Sequence, residues 1–231
     1  MARLLSLAAF ITYVLAAALD TRQAGPGLRT DNYDSLTTVP AAPQLSLVGQ
    51  YNGLDYKGWT VAQGGLPLPN ICLLGDRLCL ATFSYGLKPQ SPAKIAATAL
   101  VQTITQIGLV SLRPFGTISA APSSGVNSYN LISFYFGCIG NTGESLVSFS
   151  SRCTISVTGF YTTGVQAPTL KFTFVPTSAT EAPLTKAVLP ASYSASLAGL
   201  KNVTIGIVEA DWTSTLTILG IDDLVHLNRV I

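Results

Sequence analysis

The stretch Cys153-Thr154-Ile155-Ser156-Val157-Thr158-Gly159-Phe160 alternates, with Ile155 and Val157 set against Thr154, Ser156 and Thr158. Alternation with period two in β-branched residues marks a strand with one face in a core and the other toward water. Leu170 to Val175 (LKFTFV) repeats the pattern, with Leu170, Phe172 and Phe174 on the same side. Leu131 to Cys138 (LISFYFGC) is almost wholly apolar and aromatic, which fits a central strand buried on both faces. Leu54 to Val61 (LDYKGWTV) reads as a strand with Tyr56 on one face and Trp59 and Val61 on the other. Leu78 to Tyr85, Val203 to Val208 and Leu216 to Ile221 complete the set. Short strands spaced by Gly, Pro and Ser turns predict an all-β fold, a β-sandwich of jelly-roll type. One segment resists: Ile95 to Leu112 carries both helical and strand spacing, and its Thr and Ile content with Gly108 tilts it to strand.

The other end of the chain sets the compartment. Met1-Ala2-Arg3 gives a short positive start, Leu4 to Leu15 is apolar, and Ala16-Ala17-Ala18 supplies small residues for cleavage. That order predicts a secretory signal peptide over 1–18. The apolar run is interrupted by Ser6 and Thr12 and is short for a membrane anchor. Residues 19–45, with Gly25-Pro26-Gly27 and Pro40-Ala41-Ala42-Pro43 as breakers, read as a leader, and 46–231 as a single β-sandwich domain. The expected product is secreted and extracellular, with no membrane association after cleavage.

Only 10% of the residues are charged and the net charge is +2. Typical soluble domains carry about 25% charged residues, so the polar surface here must come from Ser, Thr, Asn, Gln and Gly. The Lys and Arg residues are scattered, whereas gripping a phosphate backbone needs them clustered. Nucleic acid is therefore not an expected partner. Four cysteines suit an oxidising compartment. Three connectivities are open to them, and the local pairs Cys72–Cys79 and Cys138–Cys153 are favoured. A zinc site lacks the tight C-x2-C spacing and has only His226 as an imidazole ligand. Asn202-Val203-Thr204 is a sequon, which predicts N-glycosylation at Asn202 and, on an exposed edge, a glycan that blocks edge pairing.

Tyr33-Asp34-Ser35-Leu36, Tyr51-Asn52-Gly53-Leu54-Asp55-Tyr56, Ser133-Phe134-Tyr135-Phe136-Gly137-Cys138, Cys153 and Ile221-Asp222-Asp223-Leu224 form a further pattern. It resembles a group of secreted fungal proteins of unassigned activity. Those proteins run aromatic-Asp-Asp-Leu, Tyr-x-Gly-Leu-x-aromatic, Ser-Phe-Tyr-Phe-Gly-Cys, a second Cys and a closing Asp-Asn/Asp-Leu. They are similar in pattern to galactose-binding-like jelly rolls, the scaffold of many carbohydrate-binding modules. Here Ser35 stands where that pattern has its second Asp, which weakens a carboxylate role there.

Apart from the resemblance, a jelly roll places its first and last strands together, which would bring Asp34 near Asp222 and Asp223. Paired acids in so acid-poor a chain raise a structural calcium, since that ion takes 6–8 oxygen ligands. The competing and favoured reading is that Asp222-Asp223 hydrogen-bonds backbone amides.

Catalytic patterns are sparse. His226 is the sole imidazole base, no G-x-S-x-G elbow is present, and His226 reads as a surface residue. Glu209 and Asp211, with Glu144 and Asp76 in expected loops, show no pairing suited to glycoside hydrolysis. The chain reads as a non-enzyme. Sugar binding needs an aromatic face beside hydroxyl-binding groups, and Tyr51, Tyr56, Trp59 and Trp212 are the candidates. Trp59 fits a core position better than a platform; Trp212, after Glu209 and Asp211, is evenly balanced. The expectation is a non-catalytic module that binds cell-wall or host glycan. The alternative is a structural or effector-like protein with a protein partner, and a carbohydrate-active enzyme ranks last.

Overall fold

The computed structural model describes residues 26–36, 46–63, 71–73, 78–80, 86–92, 94–98, 115–140, 149–211 and 217–230. In chain order the strands are β1 Gly27–Asp31, β2 Ser46–Tyr51, β3 Leu54–Gln63, β4 Ile71–Leu73, β5 Leu78–Leu80, β6 Leu87–Lys88 and β7 Lys94–Thr98. They continue with β8 Phe115–Ala120, β9 Ser128–Gly140, β10 Phe149–Ser150, β11 Cys153–Tyr161 and β12 Leu170–Phe174. The last four are β13 Ala182–Pro183, β14 Thr185–Val188, β15 Leu200–Ala210 and β16 Ile218–Arg229. The all-β expectation holds. Among the described residues, helix is confined to single turns at Pro122–Ser124 and Ala191–Ser194.

The main sheet closes on itself. Hydrogen bonding runs β9-β16-β7-β3-β8-β15, and Leu200 of β15 meets Tyr129 of β9 to complete a six-strand ring. Instead of two separate sheets, the structure has two halves that share β3. That strand pairs with β2 along one side; on the other it pairs with β8 over Leu54–Lys57 and with β7 over Trp59–Gln63. Gly58 lies at the change of partner with φ 79°. A left-handed residue is cheap only without a Cβ, and a local irregularity there lets one strand turn a corner between sheets. The β2–β3 hairpin closes on Asn52-Gly53 with φ 46° and 89°, the pair of positive angles that a two-residue type I′ turn requires.

Strand β16 repeats the corner device. Its register slips between Asp222 and Val225, Asp223 sits at φ 44°, and its partner changes there from β7 to β1. The expected neighbourhood of first and last strands is thus present, as an antiparallel β1–β16 pair. It also moves the domain start: residues 27–31 of the expected leader are a strand, and Tyr33 is in the core.

Alternation along β11 and β12 is as read from sequence, with Ile155, Val157 and Phe174 buried and Lys171 and Thr173 exposed. β9 is buried on both faces over most of its length. Across the core, Phe134 and Phe136 of β9 stack edge-on against Phe172 of β12, and Phe136 also meets Phe174. The buried Cys138–Cys153 disulfide ties β9 to β11, two strands that do not pair. Cys72 and Cys79 are direct register partners in the β4–β5 hairpin. Such partners lie within disulfide-bridging Cα distance. Of Ile95–Leu112, the first residues belong to strand β7, and 99–112 fall outside the described residues.

Candidate functional site

Inside the ring, beneath β1, lies a cluster built on Asp31. Only this residue of β1 is fully buried. Its carboxylate accepts hydrogen bonds from the Tyr56 hydroxyl and from Asn52 Nδ2 at 2.6 Å. His226 Nε2 stands 3.3 Å from Asp31 Oδ2, within ion-pair reach but not aligned as a hydrogen bond. Asn228 Nδ2 donates to the Asn52 carbonyl at 2.8 Å, and Tyr129 sets its ring edge-on to the imidazole. Burial and the adjacent Asp31 carboxylate push the Tyr56 and Tyr33 phenols well above their ordinary range, so Tyr56 keeps the proton it donates. His226 is therefore not a surface residue: it is 0% exposed, because Leu224, His226 and Asn228 form the inward face of β16. The pair resembles an acid–base relay in composition. Sealed from solvent, with neither imidazole nitrogen hydrogen-bonded among the described residues, the pair lies where β1 meets β16 and joins the two strands across the core.

Asp222 serves the bulge. Its Oδ2 accepts from the Gln90 and Ser91 amides at 2.8 and 2.9 Å, and its Oδ1 from the Asp223 amide at 2.8 Å and Ser91 Oγ at 3.0 Å. Burial nevertheless raises its pKa to about 6, the amide bonds only partly opposing this. Asp34 accepts from the Lys94 amide at 3.1 Å, while Lys94 Nζ bonds the Asp34 and Leu36 carbonyls. Asp223 is raised by burial and then by Asp34, so the two ends of the chain do bring these acids together. The carboxylate oxygens of Asp222 and Asp34 accept from backbone amides, as the hydrogen-bonding reading expects. Among the described residues no group of three His, Cys, Asp or Glu is disposed to hold a metal.

Of the aromatic candidates, Trp59 takes the core position that its sequence favoured, and Tyr56 joins it. Trp59 is 0% and Tyr56 2% exposed, both pointing inward. The irregularity at Gly58 breaks the strict alternation that placed them on opposite faces. Trp59 lies on the α-carbon of Gly116, where no Cβ fits. Tyr51 is half-buried; its hydroxyl meets Ser35 Oγ at 3.0 Å and its ring tilts on Tyr33. Trp212, Asp76 and Glu144 fall outside the described residues. Glu209 and Asp211 are in solvated ion pairs with Lys171 and Arg152.

The surface that the strands do assemble is the outer face of β3, β8, β15, β11 and β12. Register fixes its rows. One runs Asp55, Ser119, Asn202, Phe160; the next runs Lys57, Thr117, Thr204, Thr158. A third runs Phe115, Gly206, Ser156, Lys171, and a fourth Glu209, Thr154, Thr173. Hydroxyls pair across strands at Thr117–Thr204 (3.3 Å), Thr154–Thr173 (3.2 Å) and Thr158–Thr169 (3.2 Å). The charges neutralise one another at the margins, Lys57 with Asp55 and Lys171 with Glu209, each at 3.6 Å. Phe115 is 45% exposed and Phe160 half-exposed. With strands about 4.8 Å apart and same-face residues about 6.7 Å apart, the face measures roughly 20 Å each way. Asn202 stands inside it, between β8 and β11, so the condition for a glycan that blocks edge pairing is not met.

No family model and no curated protein matches the chain. Among solved structures it is similar to a DUF4465 family protein from Bacteroides caccae, at 7% identity and TM-score 0.46, over 87% of this chain and 99% of that one.

The buried cluster and the outer face escaped sequence reasoning for different reasons. Asp31 lies in a segment, GLRTD, with no alternation, and a lone His226 near the chain end reads as solvent-exposed. Its phase with Leu224 was the available signal. The face needs register across five strands, which no single segment carries. The Asn52-Gly53 dipeptide, a strong short hairpin signal that the strand reading above did not use, forms the β2–β3 turn that holds Asn52 on Asp31.

Proposed function

We propose that this protein is an exported, non-catalytic module that binds a neutral polysaccharide of a cell wall or host surface through the outer face of β3, β8, β15, β11 and β12. The observation that carries the reading is the in-register array of hydroxyl and amide groups with half-exposed Phe160 and Phe115 among them. A neutral polyhydroxyl chain asks for such groups: short donors and acceptors for its hydroxyls, ring faces for its C–H groups, and no net charge. The signal-like residues 1–18 and the Cys138–Cys153 disulfide support export. In this reading the six-strand ring is the flattened barrel of a jelly roll.

Retention on insoluble chitin, β-glucan and cellulose tests the proposal. Thr158→Arg, which plants a long charged side chain in mid-face, is expected to abolish retention with the fold intact. A wild-type protein retained on none of the three polymers overturns it. The second reading, a protein partner, is favoured by Leu28, Leu47 and Val188, each at least 60% exposed on the peripheral strands β1, β2 and β14. Capture of one partner from wall or host extract, lost on Leu28→Asp/Leu47→Asp and kept on Thr158→Arg, would select that reading.

A further inference from the structure

Asn202 opens the sequon Asn202-Val203-Thr204 from within the polar face. Val203 is buried, so Asn202 and Thr204 on either side of it both turn outward, each half-exposed. β15 is paired on both flanks here, with Ser119 of β8 on one side and Phe160 of β11 on the other. A sugar chain attached at Asn202 therefore starts in the middle of a sheet, with the face on every side of it to lie against. Its first residues meet Phe160, whose Cβ as a direct cross-strand partner lies about 5 Å away. That ring can pack against sugar C–H groups, and Ser119, Thr204 and Thr158 supply hydroxyls around it.

We infer that an N-glycan on Asn202 docks onto this face across Phe160 and occupies the surface that would receive an external polysaccharide. The modified protein is then the closed form and the unmodified one the binding form. The closure rests on the reading of the face as a polysaccharide site; the docking of the chain's own glycan does not.

The test uses the full chain made in a glycosylating host, beside the same wild-type chain exported by a host that does not N-glycosylate. Peptide mass spectrometry gives occupancy at Asn202, and the rate at which an endoglycosidase trims native protein, relative to denatured protein, reports docking. Slow native trimming is expected, several-fold faster in Phe160→Ala and unchanged in Phe160→Tyr, which keeps the ring. On insoluble polysaccharide, the unglycosylated wild-type chain is expected to be retained and the glycoform to pass through. An unoccupied Asn202, or native trimming as fast as denatured, overturns the inference. Equal retention of both forms overturns the closure and leaves the binding reading standing. Retention of neither form, with slow trimming that Phe160→Ala speeds, removes the binding reading and the closure together and supports the docked glycan.

Discussion

Asp222 is the residue whose perturbation says most about how this barrel is held. Its carboxylate is sealed from solvent, and burial lifts its pKa to about 6 against 3.8 for the free group. Between those values the folded protein holds a proton that the unfolded chain has released, so stability falls as pH rises through the window. Taken over the whole window, the shift is worth roughly 3 kcal/mol, with a limiting slope of about 1.4 kcal/mol per pH unit near its middle. Asp223 is raised in the same direction and adds to the slope with the same sign. Asp222→Asn keeps the shape of the side chain and removes the titration. Its amide can satisfy only part of a set of donors from Gln90, Ser91 and Asp223, so the variant also leaves a buried N–H unpaired at a cost of about 1–3 kcal/mol. Urea denaturation, repeated in small steps from about pH 4 to about pH 7.5, measures both effects. The wild-type midpoint should fall with rising pH, and the variant should keep only the share due to Asp223. A wild-type stability that climbs across this range, or a variant with the full wild-type slope, would refute the reasoning.

Other outcomes follow from the packing. Gly116→Ala pushes a methyl group into the Trp59 indole and should cost about 1–3 kcal/mol, with a shifted Trp fluorescence maximum and partial recovery in Gly116→Ala/Trp59→Phe. Replacing Cys138 and Cys153 by serine opens a loop of sequence separation 15 and should lower stability by about 3 kcal/mol in denaturant titration. Asp31→Ala strands the Tyr56 and Asn52 donors and should cost about 3–5 kcal/mol, with faster amide exchange across Leu28–Thr30. A loss under about 1 kcal/mol would mean that the cluster does not hold β1.

Much of the fold was legible because its strands advertise themselves. Ile155 and Val157 against Ser156 and Thr158 specify one buried and one wet face, and the structure keeps that choice. What was not legible arises where backbone geometry overrides period two. Gly58 breaks the alternation, so Tyr56 and Trp59 share the core when strict counting separates them. β1 shows three exposed residues and a single buried aspartate, a pattern that hydrophobicity cannot detect. The closure of the sheet was invisible for a related reason: it depends on β3 serving two neighbours and on one β9–β15 contact, both long-range facts. The hydroxyl-rich outer face was legible in composition, as a shortage of charge, but not in location.

The pairing of β1 with β16 has a consequence for biogenesis. Asp31 is made long before the imidazole and the strand edge that receive it. The ring is likewise incomplete until β16 slots between β9 and β7. A growing chain therefore cannot assemble this barrel piecemeal at the ribosome exit. It must be kept from aggregating until β16 emerges, and the barrel then folds slowly, as architectures dominated by distant contacts do. Nonsense or frameshift products that stop before Ile218 would carry nearly all of the apolar residues and have no closed core in which to put them.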